Sequence, residues 1–216
     1  MLSTNSLARI AGVLYLAVAV GGAFAEFGAR GSVTVAGDAA ATAANIAQHS
    51  VLFRAGLVGD VVDFVCFLGV GLVLYAILKH VNPNVALAML VLNAVSVAIQ
   101  SLNMLNHAGA LLVATDPTFA SLRSEALFLL ELHHDGYLIA QVFFGLYLLP
   151  LGYLVFKSGM FPRALGIALM VGSAGYVLGI LASSVAMVGG FAELAFLLWL
   201  LVRGVSGKEA TRWATA

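Results

Sequence analysis

The sequence predicts an all-α membrane protein, a bundle of six transmembrane helices with both termini in the cytoplasm. Three observations carry that expectation. Of 216 residues, 62% are hydrophobic and only 9% charged, whereas soluble domains carry about 25% charged residues, so lipid must be the solvent. Apolar runs of the length needed to span a bilayer, about 20 residues, recur between polar breakers. The basic residues also fall unevenly on the two sides that those runs would define.

In order, the first span covers residues 8–27. Arg9, the apolar stretch after it and Ala23-Phe24-Ala25 also resemble a secretory signal peptide with an A-x-A cleavage site, whose removal would leave five helices. A long connection, 28–51, follows, and its second half, 38–49, suits a short surface helix capped by Asp38. The second span is 52–78. The polar turn from Lys79 to Asn84 closes it, and Pro83 can open the third span, 85–114. Asp116-Pro117-Thr118 starts another connection, in which Ser121 or Ser124 could cap the fourth span, 125–156. Gly159 then stops that helix and Pro162 starts the fifth, 163–184. Only Val188-Gly189-Gly190 divides it from the sixth, 190–202, which implies a tight hairpin. Residues 205–216 would form a short cytoplasmic tail. With no soluble domain and no charge run, 1–216 reads as a single transmembrane domain.

Arg9, Lys79, Lys157, Arg163, Arg203, Lys208 and Arg212 fall on the side of the termini, and Arg30, Arg54 and Arg123 on the other. Seven against three places both termini inside. The formal net charge is zero, so neither nucleic acid nor a polybasic lipid-binding tail is indicated. The lone Cys66 cannot form an intrachain disulfide and reads as a small buried hydrophobe.

Ionisable residues inside apolar runs are costly and therefore mark candidate sites. Asp60, Asp63, His107, Glu131, His134 and Asp135 are such residues, and the helical rise sets those of the second and fourth spans about 9 to 15 Å in from the outer side. On the third span Asn93, Ser96, Gln100, Asn103 and His107 recur at three- and four-residue intervals and make one polar stripe. On the fourth, Glu131, His134, Asp135 and Gln141 share a face, while His133 points elsewhere as a packed or interfacial residue. The three stripes are expected to converge on a polar pocket in the outer half of the bundle. Glu26 and Arg54 would pair at adjoining helix ends, Glu193 would reach the outer interface or cap its helix, and Gly166, Gly172, Gly175 and Gly179 would permit close helix packing.

Such a pocket suits a small amphiphilic or lipid-like molecule transformed by acid–base chemistry, with Asp60, Asp63, His134 and Asp135 as catalytic groups and Arg54, Gln100, Asn103, His107 and Glu131 holding substrate. Glu131-x-x-His134 also has the spacing of carboxylate-bridged dimetal sites, so Asp63, His107, Glu131 and His134 are candidate metal ligands, although the pair is not repeated on a second helix. No particular cofactor is indicated. The alternative is a small proton- or ion-coupled transporter using the same residues as a relay. Against it, residues 69–77 and 144–156 offer few polar groups beyond Tyr147 and Tyr153. An inert scaffold is a third reading. Membrane lipid is the expected surrounding partner.

Three segments carry a family resemblance: Leu7-Ala8-Arg9-Ile10-Ala11-Gly12-Val13-Leu14-Tyr15-Leu16; the stretch from Gly145 through Lys157-Ser158-Gly159-Met160-Phe161-Pro162-Arg163 to Gly166; and Glu193-Leu194 with Leu198-Trp199-Leu200-Leu201-Val202-Arg203-Gly204. Together the chain resembles the bacterial membrane family named domain of unknown function 4386, with Ser-Gly-x-x-Pro-Arg as the most specific piece. The resemblance implies a six-helix protein of the bacterial inner membrane. It implies no activity, substrate or cofactor.

Overall fold

The structure, a computed structural model, describes residues 2–205, so the tail expected over 205–216 lies outside the described residues beyond Val205. Every regular element among the described residues is helical. The first helix does not stop at Phe27: Thr4–Ala23 runs on through a π-helical stretch, Phe24–Arg30, and a last turn, Gly31–Val33. Together these form α1, Thr4–Val33. After it come α2 (Ala39–Gln48), α3 (Ser50–Leu78), α4 (Pro83–Thr115), a 3-10 turn (Pro117–Leu122), α5 (Glu125–Ser158), α6 (Arg163–Leu178) and α7 (Ser183–Val202). Five helices, α1, α3, α4, α5 and α7, are long and apolar enough to cross a membrane, and α6 is a shorter apolar helix. The chain is a multi-pass membrane protein.

Local chemistry fixes most of the ends. Asp38 caps α2 by accepting from the Ala41 amide at 2.9 Å, and Asn82 accepts from the amides of Asn84 and Val85 as Pro83 opens α4. Gly159 has φ +68°, the left-handed conformation that ends α5, and Pro162 is the residue before α6. Asp116 caps the 3-10 turn through the Thr118 amide, whereas neither Ser121 nor Ser124 caps α5.

The break expected at Val188-Gly189-Gly190 falls elsewhere, between Leu178 and Ser183. Gly189 and Gly190 lie inside α7, and the Tyr176 ring packs over Gly189, so the missing side chain there serves packing, not termination. The real turn, Gly179-Ile180-Leu181-Ala182, is too apolar to announce itself.

The chain forms two compact units, to each of which α1, α3, α4 and α5 contribute a segment. One unit comprises Met1–Leu16, Cys66–Val97 and Leu138–Ala216. There α5 and α6 touch backbone to backbone: a Cβ on Gly152 would stand 2.6 Å from the Gly166 carbonyl, and one on Gly166 would stand 2.7 Å from that of Gly152. Gly172 and Gly175, with Gly179 just past the end of α6, let α7 approach within 2.8–3.1 Å of where their Cβ atoms would stand, so the expected glycine packing holds.

The other unit comprises Ala17–Val65 and Ala98–Tyr137. Its apolar core gathers Val33, Ala43, Ile46, Phe53, Ala110, Leu111, Ala114, Ala126 and Leu130. Thr42 and Asn45 tie α2 to the chain before it, bonding the backbone of Val35 and Val33.

Candidate functional site

In the second unit small residues set the geometry. Gly21, Ala25 and Ala29 recur every fourth residue on α1 and face Gly56 and Gly59 on α3. A Cβ on Gly56 would stand 2.6 Å from that of Ala29, and one on Gly21 would stand 3.0 Å from the Gly59 carbonyl. Such close approach of backbones, typical of membrane helix pairs, brings Arg30 against Asp60. The Arg30 guanidinium is 8% exposed and Asp60 4%. Nη1 of Arg30 donates to Asp60 Oδ2 at 2.5 Å and Nη2 to Oδ1 at 3.3 Å. On the adjoining edge Nε donates to Glu26 Oε2 at 2.9 Å, and Nη2 lies 2.9 Å from the same oxygen. Glu26 is the half-exposed member, its side chain 53% accessible.

His107 completes the cluster. Its Nε2 lies 3.1 Å from the Phe53 carbonyl, which can only accept, and its Nδ1 lies 3.3 Å from Arg30 Nη1, which can only donate. The ring is therefore the neutral tautomer with its proton on Nε2. Phe53 stacks on it at 4.0 Å. His133 meets the His107 ring edge-on at 5.9 Å, and its carbonyl accepts from Asn103 Nδ2 at 2.7 Å.

The polar stripe of α4 thus turns inward: Asn93, Ser96, Asn103 and His107 are buried and Gln100 is half-buried. The face expected on α5 is corrected. Glu131, His134 and Asp135 are exposed, and among residues 125–141 the buried positions are Ala126, Leu130, His133, Ala140 and Gln141. Glu131, His134, Asp135 and Gln141 define the expected stripe, but the helix buries its alanine and leucine face, to which His133 and Gln141 belong. Helix length explains how those charges are tolerated. At about 1.5 Å per residue, 34 residues outrun a hydrocarbon layer of about 30 Å by about 20 Å. Charges in the first three turns of α5 therefore need not meet acyl chains.

The Glu26 partner is likewise Arg30, not Arg54, which is exposed. Arg30 lies in α1 and not in the connection expected over 28–51, because the helix continues through Gly28 and Gly31. The signal was present in the four-residue spacing of Glu26 and Arg30, which puts them one turn apart. Asp63 is half-buried, its carboxylate set over Gly22, where a Cβ would stand 3.1 Å from Oδ2. Among the described residues no three His, Cys, Asp or Glu side chains stand together as a metal-ion site, so Asp63, His107, Glu131 and His134 do not converge as ligands. A hollow of about 260 Å³ in this unit is lined by Ala40, Ala43, Ala44, Ala47, Ala114, Arg123 and Ser124, none of them in the charged cluster.

The first unit buries a second polar cluster that the sequence reading did not assemble. Glu193 sits in the middle of α7, not at its start, and is buried. Its Oε1 accepts from Tyr15 at 2.7 Å and its Oε2 from Tyr176 at 2.9 Å. The Tyr147 hydroxyl lies 3.3 Å from that of Tyr15. Nearby, Gln141 donates to the Tyr176 carbonyl at 3.1 Å and Asn93 to that of Phe67 at 3.1 Å.

Residues 10–204 match the family model described as Domain of unknown function (DUF4386), and the chain belongs to that family. It is also similar to an uncharacterized protein of Archaeoglobus fulgidus, 36% identical over 72 residues that make up 31% of this chain and 44% of the relative. The chain therefore spans less than half the length of that relative. No solved structure matches it.

Proposed function

Starting from a DUF4386 chain with a buried, two-sided guanidinium, we propose that this protein binds the anionic head group of a small amphiphile at Arg30. The membrane arrangement in this reading is six spans with α6 as the fifth, both termini in the cytoplasm and the bacterial inner membrane as location, on the strength of the basic-residue bias. At about 24 Å, the 16 residues of α6 fall short of the hydrocarbon thickness, a deficit that local thinning or flanking residues can absorb.

One observation carries the proposal. Arg30 is held on one edge by a buried carboxylate and on the other by a half-exposed one. A guanidinium edge matches a carboxylate or phosphate in two parallel hydrogen bonds, so an incoming acid can take the place of Glu26 while Asp60 keeps the arginine in register. The π-helical stretch that carries both Glu26 and Arg30 is a local irregularity of the kind that often marks functional sites. Any acid–base step on the bound molecule falls to Asp60, which is buried, and Asp63, which is half-buried. Use of the cluster as a proton relay has less support, because both ring nitrogens of His107 are already engaged.

The test compares oleate and lysophosphatidate with an uncharged amphiphile of equal chain length, by thermal shift of the purified protein in mild detergent. The acids should stabilise it, more strongly in Glu26→Gln, where the internal competitor has lost its charge, and less in Arg30→Lys, which has no fork. Equal shifts for charged and uncharged amphiphiles would show the proposal to be wrong.

A further inference from the structure

We infer that Glu193 is a proton-binding site, whose two protonation states are both accommodated by reorientation of the hydroxyl row Tyr147, Tyr15, Glu193 and Tyr176. This site lies in the first unit and does not depend on amphiphile binding at Arg30.

Glu193 is the eleventh of twenty residues in α7, so about 15 Å of helix separates it from either end. The groups facing it are tyrosines: Tyr15 from α1, Tyr147 from α5 and Tyr176 from α6. Rings close the surroundings, with Phe67 of α3 and Phe196 of α7 edge-on to Tyr15 and Phe144 of α5 edge-on to Tyr176. Among the described residues no Lys, Arg or His pairs with this carboxyl group. A carboxylate in an apolar interior needs a compensating positive charge or must take up a proton. A metal ion would have to displace hydroxyls already at hydrogen-bond distance from both oxygens. A proton needs no extra volume.

The row accommodates both states, because each hydroxyl both donates and accepts. With Glu193 ionised, Tyr147 donates to Tyr15, Tyr15 donates to Oε1 and Tyr176 donates to Oε2. When a proton from water binds at Oε1, the new O–H donates to Tyr15, Tyr15 turns to donate to Tyr147, and Tyr147 rotates its own O–H away from Tyr15 so as to accept. One O–H bond forms, one positive charge is taken up, and no heavy atom need move. A purely structural carboxylate would stay in one ionisation state.

The test is infrared difference spectroscopy of the full chain in lipid nanodiscs across a pH titration. A protonated-carboxyl band should appear and bleach together with tyrosine ring bands, and Glu193→Gln should lose it. Tyr15→Phe and Tyr176→Phe should each move its midpoint by about one pH unit, a tenfold change in proton affinity. Glu193→Asp, which keeps an acid there, should retain a band at altered frequency, and it serves if the glutamine variant does not fold. A band that survives in Glu193→Gln, that is unmoved in all three of the other variants, or that shows no pH dependence overturns the inference.

Discussion

Replacing Arg30 by methionine should be among the most damaging single changes in the second unit. The substitution keeps an unbranched stem of similar reach but removes the donors that hold Asp60 at 2.5 and 3.3 Å, Glu26 at 2.9 Å and His107 at 3.3 Å. Glu26 can turn to water, since half its side chain is already accessible. Asp60 cannot, at 4% exposure, and His107 Nδ1 would lose its donor as well. Breaking a buried pair from one side costs about 3–5 kcal/mol, whereas replacing both partners by apolar groups of similar volume is often close to neutral. Arg30→Met should therefore lose about 3–5 kcal/mol, and adding Asp60→Leu should restore most of it. The measurement is a double-mutant cycle by equilibrium unfolding in mixed detergent or by steric trapping in bicelles. A single mutant costing under about 1 kcal/mol, or a double mutant worse than the sum of its singles, would refute the reasoning.

Other outcomes follow from the same structure. Gly152→Ala places a methyl 2.6 Å from a backbone carbonyl on α6 and should cost about 1–3 kcal/mol, whereas Gly190→Ala meets only the Tyr176 hydroxyl at 3.7 Å and should stay within about 0.5 kcal/mol in the same unfolding assay. Asp38→Ala removes the α2 cap at a cost of about 1 kcal/mol, visible as faster amide exchange confined to 39–48. Hydrogen bonds from Thr118, the backbone amide foremost, hold the Asp116 carboxyl below its usual range. Because its folded value is depressed, the stability it contributes is present above the ordinary carboxylate value and is lost as pH falls through the depressed one. The protection of the Thr118 amide, its exchange rate taken relative to the intrinsic rate at each pH, should therefore fall at acid pH, and Asp116→Ala should remove that dependence.

How much was legible beforehand varies by element. The polar turn at Lys79 to Asn84 and the Ser158 to Arg163 segment ended helices where their Pro, Gly and Asn chemistry said they would. The α4 stripe showed its inward face because five polar residues keep helical register over four turns. On α5 the same method picked the wrong face: a 34-residue helix extends beyond the hydrocarbon, so charge near its start ceases to report burial. Arg30 was hidden because glycine is a stop signal only where the chain needs a left-handed residue, and Gly31, at φ −62°, continues the helix. Glu193 was hidden because its two tyrosine partners, Tyr15 and Tyr176, and the Tyr147 behind Tyr15 come from three different helices.

Composition and hydrophobic run length, which are properties of the chain alone, determined that this is an all-helical, multi-pass membrane protein, because unpaired backbone polar groups cannot be left in lipid. Which ionisable groups meet was decided only by tertiary packing. Glycine and alanine contacts bring Arg30 to Asp60, and the Tyr176 ring over Gly189 helps seat the α6–α7 pair around Glu193. Helical period fixes which residues of one helix share a face, while the neighbour that each face meets depends on how closely backbones approach.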